Sequence, residues 1–293
     1  MRDGWWRALA RIGKGAWIVI HPRTCIRVAK VFMSPETRPL VQAEPRVIFK
    51  YLGSYVGLGL SREERAAVLI EHYAFLRERV DSDFFRSILD GRLELWRQDG
   101  GDNLYRICLA FSRKYHEEGD LSLILEANCV DIYTLSFTIG PGCVAGLACR
   151  ALYIARVQGK RSGLHLIRAA TKSCLDVSPA ALLLAAAEGI ATALELSDMI
   201  GMGASDQLSA SLGPHQAMVK TYDTFWLEAG GRPLARNMYH LPVPAPDKPI
   251  QSIKRNHRLR TLRKREYKRL VKEQVCRAFR DILLGARQDR VRR

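Results

Sequence analysis

No apolar run in this chain reaches the length that a bilayer demands. The best candidate, Pro179–Leu196, carries Glu188 and Glu195 and falls short of the ~20 apolar residues a spanning helix needs. It reads as a buried core helix. No secretory leader is expected either, because the one apolar run near Met1, Ala16–Ile20, is short and meets His21-Pro22-Arg23. The seven cysteines are odd in number and widely spaced, with no CxxC or Cys/His zinc spacing. They read as free thiols in a reducing compartment, and no metal site is expected. No P-loop, GxGxxG, Gly-x-Ser-x-Gly elbow, Cys/His nucleophile pair or internal repeat is present. These absences exclude the commonest nucleotide, zinc and serine-hydrolase signatures, and they point to a cytoplasmic protein.

What the chain does have is positive charge, +16 over 293 residues. The charge is uneven: +7 over residues 1–50, −3 over 51–253 and +12 over 254–293. Basic ends on a near-neutral centre suggest a polyanionic partner and say nothing about fold. No nucleic-acid recognition fold accompanies them, which places an anionic membrane surface or an acidic protein ahead of nucleic acid.

The first 45 residues read as an irregular segment, broken by Pro22, Pro35, Pro39 and Pro45. Residues 46–250 read as one α+β domain, and 251–293 as a basic C-terminal helix and tail. Ser61-Arg62-Glu63-Glu64 is a capping box opening a helix to about Val80, with a shorter helix over Ser82–Leu89. Strand-like runs follow at Leu93–Arg97, Leu104–Ser112, Leu121–Ala127, Ile132–Ile139 and Ala151–Val157, divided by turn residues. They form an antiparallel meander. Helices are expected at Gly163–Lys172 and at Pro179–Leu196, the latter capped by Ser178. Asp198–Gly203 and Ala217–Glu228 read as strands, and Leu241–Pro249 as an extended linker. The order resembles the acyl-CoA N-acyltransferase fold, in which the helix after the central strand holds the cofactor pyrophosphate at its start.

Three stretches carry candidate chemistry. Gln158-Gly159-Lys160-Arg161-Ser162-Gly163 ends a strand in a basic, glycine-containing loop. Backbone N–H groups at the following helix start, with Lys160 and Arg161, suit a phosphate, though a solvated turn has the same composition. Tyr222-Asp223-Thr224-Phe225-Trp226-Leu227-Glu228 sets carboxylates beside aromatic bulk. Tyr222, Asp223 and Glu228 there suit proton transfer, while a core strand with capped turns explains them equally. His72 sits mid-helix as a packing residue. Finally, Lys254, Arg255, Arg258, Arg260, Arg263, Lys264, Arg265, Lys268 and Arg269 precede an apolar stripe of Tyr267, Leu270, Val271, Val275, Ala278, Phe279 and Ile282, with Gly285 as a helix stop. This is a basic amphipathic helix able to meet an anionic partner, its stripe free to dock on the domain, a partner or a membrane.

Lys50-Tyr51-Leu52, His72-Tyr73, Glu118-Gly119-Asp120-Leu121, Ile132–Phe137, Val157-Gln158-Gly159, Ile167–Lys172, Tyr222–Gly231, Leu241-Pro242 and Ile253-Lys254-Arg255 occur in that order. In these pieces the chain resembles the VirK/YbjX family of bacterial proteins over roughly residues 45–275. One departure is Asp176-Val177-Ser178-Pro179-Ala180, where a Gly-Leu-Arg-Pro-Lys-like segment is expected. The loss of two basic residues weakens any anion site at that helix start. The resemblance implies a cytoplasmic protein, peripheral at the inner membrane if it docks there, linked in enteric bacteria to virulence, envelope homeostasis and antimicrobial-peptide resistance. It assigns no catalytic residue. Two readings follow: a factor acting by binding an anionic partner, or an acyltransferase-like enzyme with acyl-CoA held by Gln158–Gly163 and Asp223 or Glu228 taking a proton from an amine.

Overall fold

The computed structural model describes residues 20–113, 116–208 and 215–292. From residue 20 to 45 the chain is largely helical where an irregular segment is expected. Pro22 opens α1 (Pro22–Phe32), Pro39 lies in the first turn of α2 (Arg38–Ala43), and Pro45 starts a 3-10 run, Pro45–Leu52. Proline lacks an N–H that the first turn does not use, so these prolines start helices instead of dissolving them. In α3 (Arg62–Arg77) the capping box forms: the Glu64 N–H donates to Ser61 Oγ at 3.2 Å and the Ser61 N–H donates to Glu64 Oε2 at 2.8 Å. Asp81 caps α4 (Ser82–Asp90).

The meander follows as β1 (Leu93–Asp99), β2 (Leu104–Phe111), β3 (Leu121–Ala127), β4 (Val130–Gly140) and β5 (Ala151–Gly159). The β3–β4 turn is two residues, Asn128 and Cys129, both at positive φ (49° and 64°), as a hairpin matched to strand twist requires. Two helices, α5 (Leu164–Ser173) and α6 (Pro179–Ala193), cross over to β6 (Asp198–Met202), which pairs parallel to β5. Then come α7 (His215–Glu228), β7 (Arg232–Pro233), β8 (Met238–Pro242) and α8 (Arg258–Arg292). The eight strands order as β1-β2-β3-β4-β5-β6-β8-β7, antiparallel except for β5 and β6. The α+β class with a meander sheet, flanking helices and a C-terminal helix therefore holds.

Three local expectations are corrected. Ala217–Glu228 is helical, because Tyr222 and Trp226 bury one helix face at i, i+4 spacing, a pattern that a short apolar run does not separate from a strand. Leu241-Pro242 belongs to β8 and not to a linker. Gly285 does not stop α8, which runs on to Arg292. A mid-helix glycine costs about 1 kcal/mol, too little to end a helix by itself.

The sheet's two faces differ. Leu109, Leu123, Leu135 and Val157 align across β2–β5 on one face, and α6 lies across β3, β4 and β5. α6 is buried nearly all round because α8 covers its outer side, where Val271, Val275 and Phe279 are buried. The helices meet at Gly189, where a Cβ would lie 2.6 Å from the Lys272 carbonyl oxygen. Val28, Phe32 and Leu40 of α1 and α2 join the same core. Phe279→Ala should therefore destabilise the protein by about 3–5 kcal/mol in urea unfolding, and a cost under about 1 kcal/mol would mean α8 is not docked in solution.

Candidate functional site

The most constrained polar group is Asp120, which enters β3 fully buried. Its Oδ1 accepts from Lys50 Nζ (2.7 Å) and Tyr73 Oη (2.7 Å), and its Oδ2 from Thr138 Oγ1 (2.8 Å) and Tyr55 Oη. Lys50 also donates to the Gly119 carbonyl at 3.0 Å. Burial opposes the Asp120 charge, but Lys50 and the hydroxyl donors outweigh it and hold the carboxyl well below its ordinary range. Burial lowers Lys50 against the pull of Asp120, and burial followed by the Asp120 charge raises Tyr55 and Tyr73. Beside them, burial lowers His72 to about 4. Its Nδ1 accepts from the Ile139 N–H at 3.1 Å, and its buried Nε2 has no hydrogen-bond partner among the described residues.

Beyond this node the second face of the sheet is polar. One row across β2–β5 reads Ala110, Ser122, Ser136, Arg156, and the next reads Cys108, Ile124, Thr134, Gln158. Ser112, Ser122 and Ser136 form a hydroxyl chain with steps of 2.8 and 2.9 Å. At its end Arg156 is held by Glu118, whose carboxyl burial pushes up against the pull of that arginine. A groove of about 420 Å³ lies along these rows, between the end of α4 and the Gln158–Lys160 end of β5.

The β5–β6 ladder runs only from Leu152–Met199 to Ile154–Gly201. Past it β5 continues to Gly159, unpaired on the β6 side. Tyr222 stands beside this opening: its hydroxyl, raised to about 12 by burial, hydrogen-bonds with the Val157 backbone and faces Arg156 and Glu118. Gln158, Gly159 and Lys160 then lead to the α5 start at Gly163, with Lys160 exposed. A Cβ on Gly159 would approach Ile167 and the Tyr133 ring at 2.8 Å, so the glycine permits close packing of strand and helix. The Arg161 side chain lies outside the described residues.

Of the aromatic run, only Tyr222 joins this loop. Asp223 Oδ1 accepts from the Ala204 N–H at 2.9 Å, and Trp226, fully buried, donates to the Met202 carbonyl at 2.9 Å. Glu228 is exposed at the end of α7. Along α8, Arg260 pairs with Asp176, Arg265 with Asp247 and Arg269 with Glu266, while Arg258 donates to the Ile253 carbonyl. Lys254, Arg255 and Arg263 are exposed, and Lys264 and Lys268 half-buried. Among the described residues no group of three or more His, Cys, Asp and Glu side chains could hold a metal, and no helix is long and apolar enough to cross a membrane.

Sequence reasoning gave Asp120, Lys50, Tyr55, Thr138 and the serines no role. The available signal was an acid, Asp120, opening a strand that is otherwise nearly all apolar, Leu121–Ala127. Its donors come from distant segments.

Residues 5–272 match the family model described as "Protein of unknown function (DUF535)". The chain is 25% identical over 254 residues to the "Uncharacterized protein YbjX" of Escherichia coli (strain K12), covering 84% of this chain and 76% of the relative. No solved structure matches. The chain belongs to the DUF535 family, that of VirK and YbjX.

The Asp120 node yields a coupling test. Asp120→Ala should cost about 3–5 kcal/mol by leaving Lys50 buried and unpaired. The double variant Lys50→Met/Asp120→Ala should lose less than the sum of the singles by at least about 1 kcal/mol in chemical denaturation. Additive losses would show that the pair does not act as a unit.

Proposed function

We propose that this DUF535 protein is an acyl-CoA-dependent, N-acyltransferase-like enzyme. One observation carries the reading: the sheet's single parallel pair, β5 and β6, loses its ladder after Ile154 and leaves a gap that ends at Gln158–Gly163 and the α5 start. An antiparallel sheet opened at one parallel pair suits an extended pantetheine chain, and a helix start suits its phosphates. Lys160 adds charge beside those N–H groups, and Arg161 follows it in the sequence. Asp223 is committed to the Ala204 N–H and Glu228 stands at the far end of α7. Glu118 is the better proton acceptor, since its carboxyl is buried, raised, and faces Tyr222 across Arg156. Tyr222, bonded to the Val157 backbone, is placed to donate a proton at the gap.

Thermal-shift titration with acetyl-CoA and longer acyl-CoAs tests the reading. A saturable rise in Tm is expected, and Lys160→Glu/Arg161→Glu should weaken it by about tenfold or more. If no acyl-CoA stabilises the protein, the reading fails.

A second reading rests on α8. Val271, Val275 and Phe279 of its stripe are buried, while its outward side carries exposed Leu259, Leu262 and Leu270 beside Arg263, with Lys254 and Arg255 exposed just before the helix. Such a surface meets an anionic partner first through its charge. That fits a cytoplasmic protein docking peripherally on an anionic membrane or an acidic protein, and the envelope and antimicrobial-peptide roles that the family resemblance implies. At ~1 kcal/mol for each basic residue near an anionic surface, the triple change to Ala should weaken binding to phosphatidylglycerol vesicles by roughly a hundredfold. Co-sedimentation that ignores salt, or ignores the triple change, would rule it out.

A further inference from the structure

The groove on the polar face of the sheet meets the phosphate-holding loop at Gln158–Lys160 and has a chemistry of its own over the rest of its length. Its floor is drawn from the two rows, with Ser122 and Thr134 diagonal to each other on β3 and β4, where Ser122 pairs with Ser136 and Thr134 with Ile124. Of the four cations that line it, Lys160 stands exposed at the β5 end, and the three arginines are each matched by carboxylates. Arg92 bridges Glu126 and Asp131, Arg156 is held by Glu118, and Arg113 pairs with Glu44. Away from Lys160 the wall therefore offers paired donors and acceptors and little net charge. A phosphate would have to draw an arginine from its carboxylate, and an ammonium group would have to do the reverse. A hydroxyl both donates and accepts, so it inserts between such pairs without separating them. The apolar side chains of Ile88, Leu89 and Ile124 also line the groove and suit the C–H face of a sugar ring. Its volume, about 420 Å³, lies in the range of small-molecule sites.

We propose that this groove binds a neutral, polyhydroxylated small molecule of the sugar class, whether or not the chain transfers acyl groups. Saturation-transfer NMR on the full chain, with D-glucose, N-acetyl-D-glucosamine and maltose as probes and D-glucose 6-phosphate as the anionic control, tests it. At least one neutral sugar should receive magnetisation, with affinity changing less than about twofold between about 50 and about 500 mM NaCl. Thr134→Val, close to isosteric, should weaken binding by about tenfold, and Ser122→Val, which also fills the floor, should abolish it. Thermal melts establish whether the Ser122 variant folds, and Thr134→Val serves if it does not. Silence from all three neutral sugars would overturn the proposal. So would tighter, salt-sensitive binding of the phosphate, or binding indifferent to Thr134→Val.

Discussion

A single buried carboxylate ties the helical layer to the sheet. Asp120 gathers donors from the 3-10 run (Lys50), the loop after it (Tyr55), α3 (Tyr73) and β4 (Thr138). None of these groups can leave without stranding another in an apolar interior, where an unpaired polar group costs ~1–3 kcal/mol and an unpaired charge more. Apolar side chains of similar volume would hold the layers about as well. What the network adds is one specified arrangement, in which α3 sits at one place along β4.

That fixed arrangement frees the rest of the sheet for a division of labour. One face is a core surface closed by α6 and α8. The other keeps serines, a threonine, a glutamine and an ion pair in register across β2–β5. The opening between β5 and β6 lies at the edge of this polar face, with Tyr222 at the junction. A groove and a gap sharing one wall, Arg156 to Lys160, is an arrangement that can bring two molecules together.

Much of the fold was legible in the sequence because its signals are local. The Ser61 capping box, the turn residues between the meander strands and the Ser178-Pro179 helix start name their elements outright. The misses share a physical cause. Tyr222 and Trp226 suit a strand or a helix until Met202 supplies a partner for the indole N–H. Gly285 stops a helix only if the chain beyond it turns. The serines at 112, 122 and 136 are unremarkable alone, and only the pairing register makes them a chain. Asp120 is the extreme case, since its donors lie between 18 and 70 residues away. The candidate loop Gln158–Gly163 was readable, but its relation to Tyr222 was not.

The seating of α8 on α6 has a consequence for how the protein is made. α6 is apolar on both sides, and only its sheet-facing side can be covered by residues synthesised before it. Its other side waits for Val271, Val275 and Phe279, some ninety positions nearer the C-terminus. A growing chain would thus carry a sticky helix until those last turns emerge from the ribosome, a period in which chaperones have a ready handle. The strongly basic stretch that precedes these residues, translated immediately before the seal arrives, would keep the unfinished chain soluble through its own repulsion.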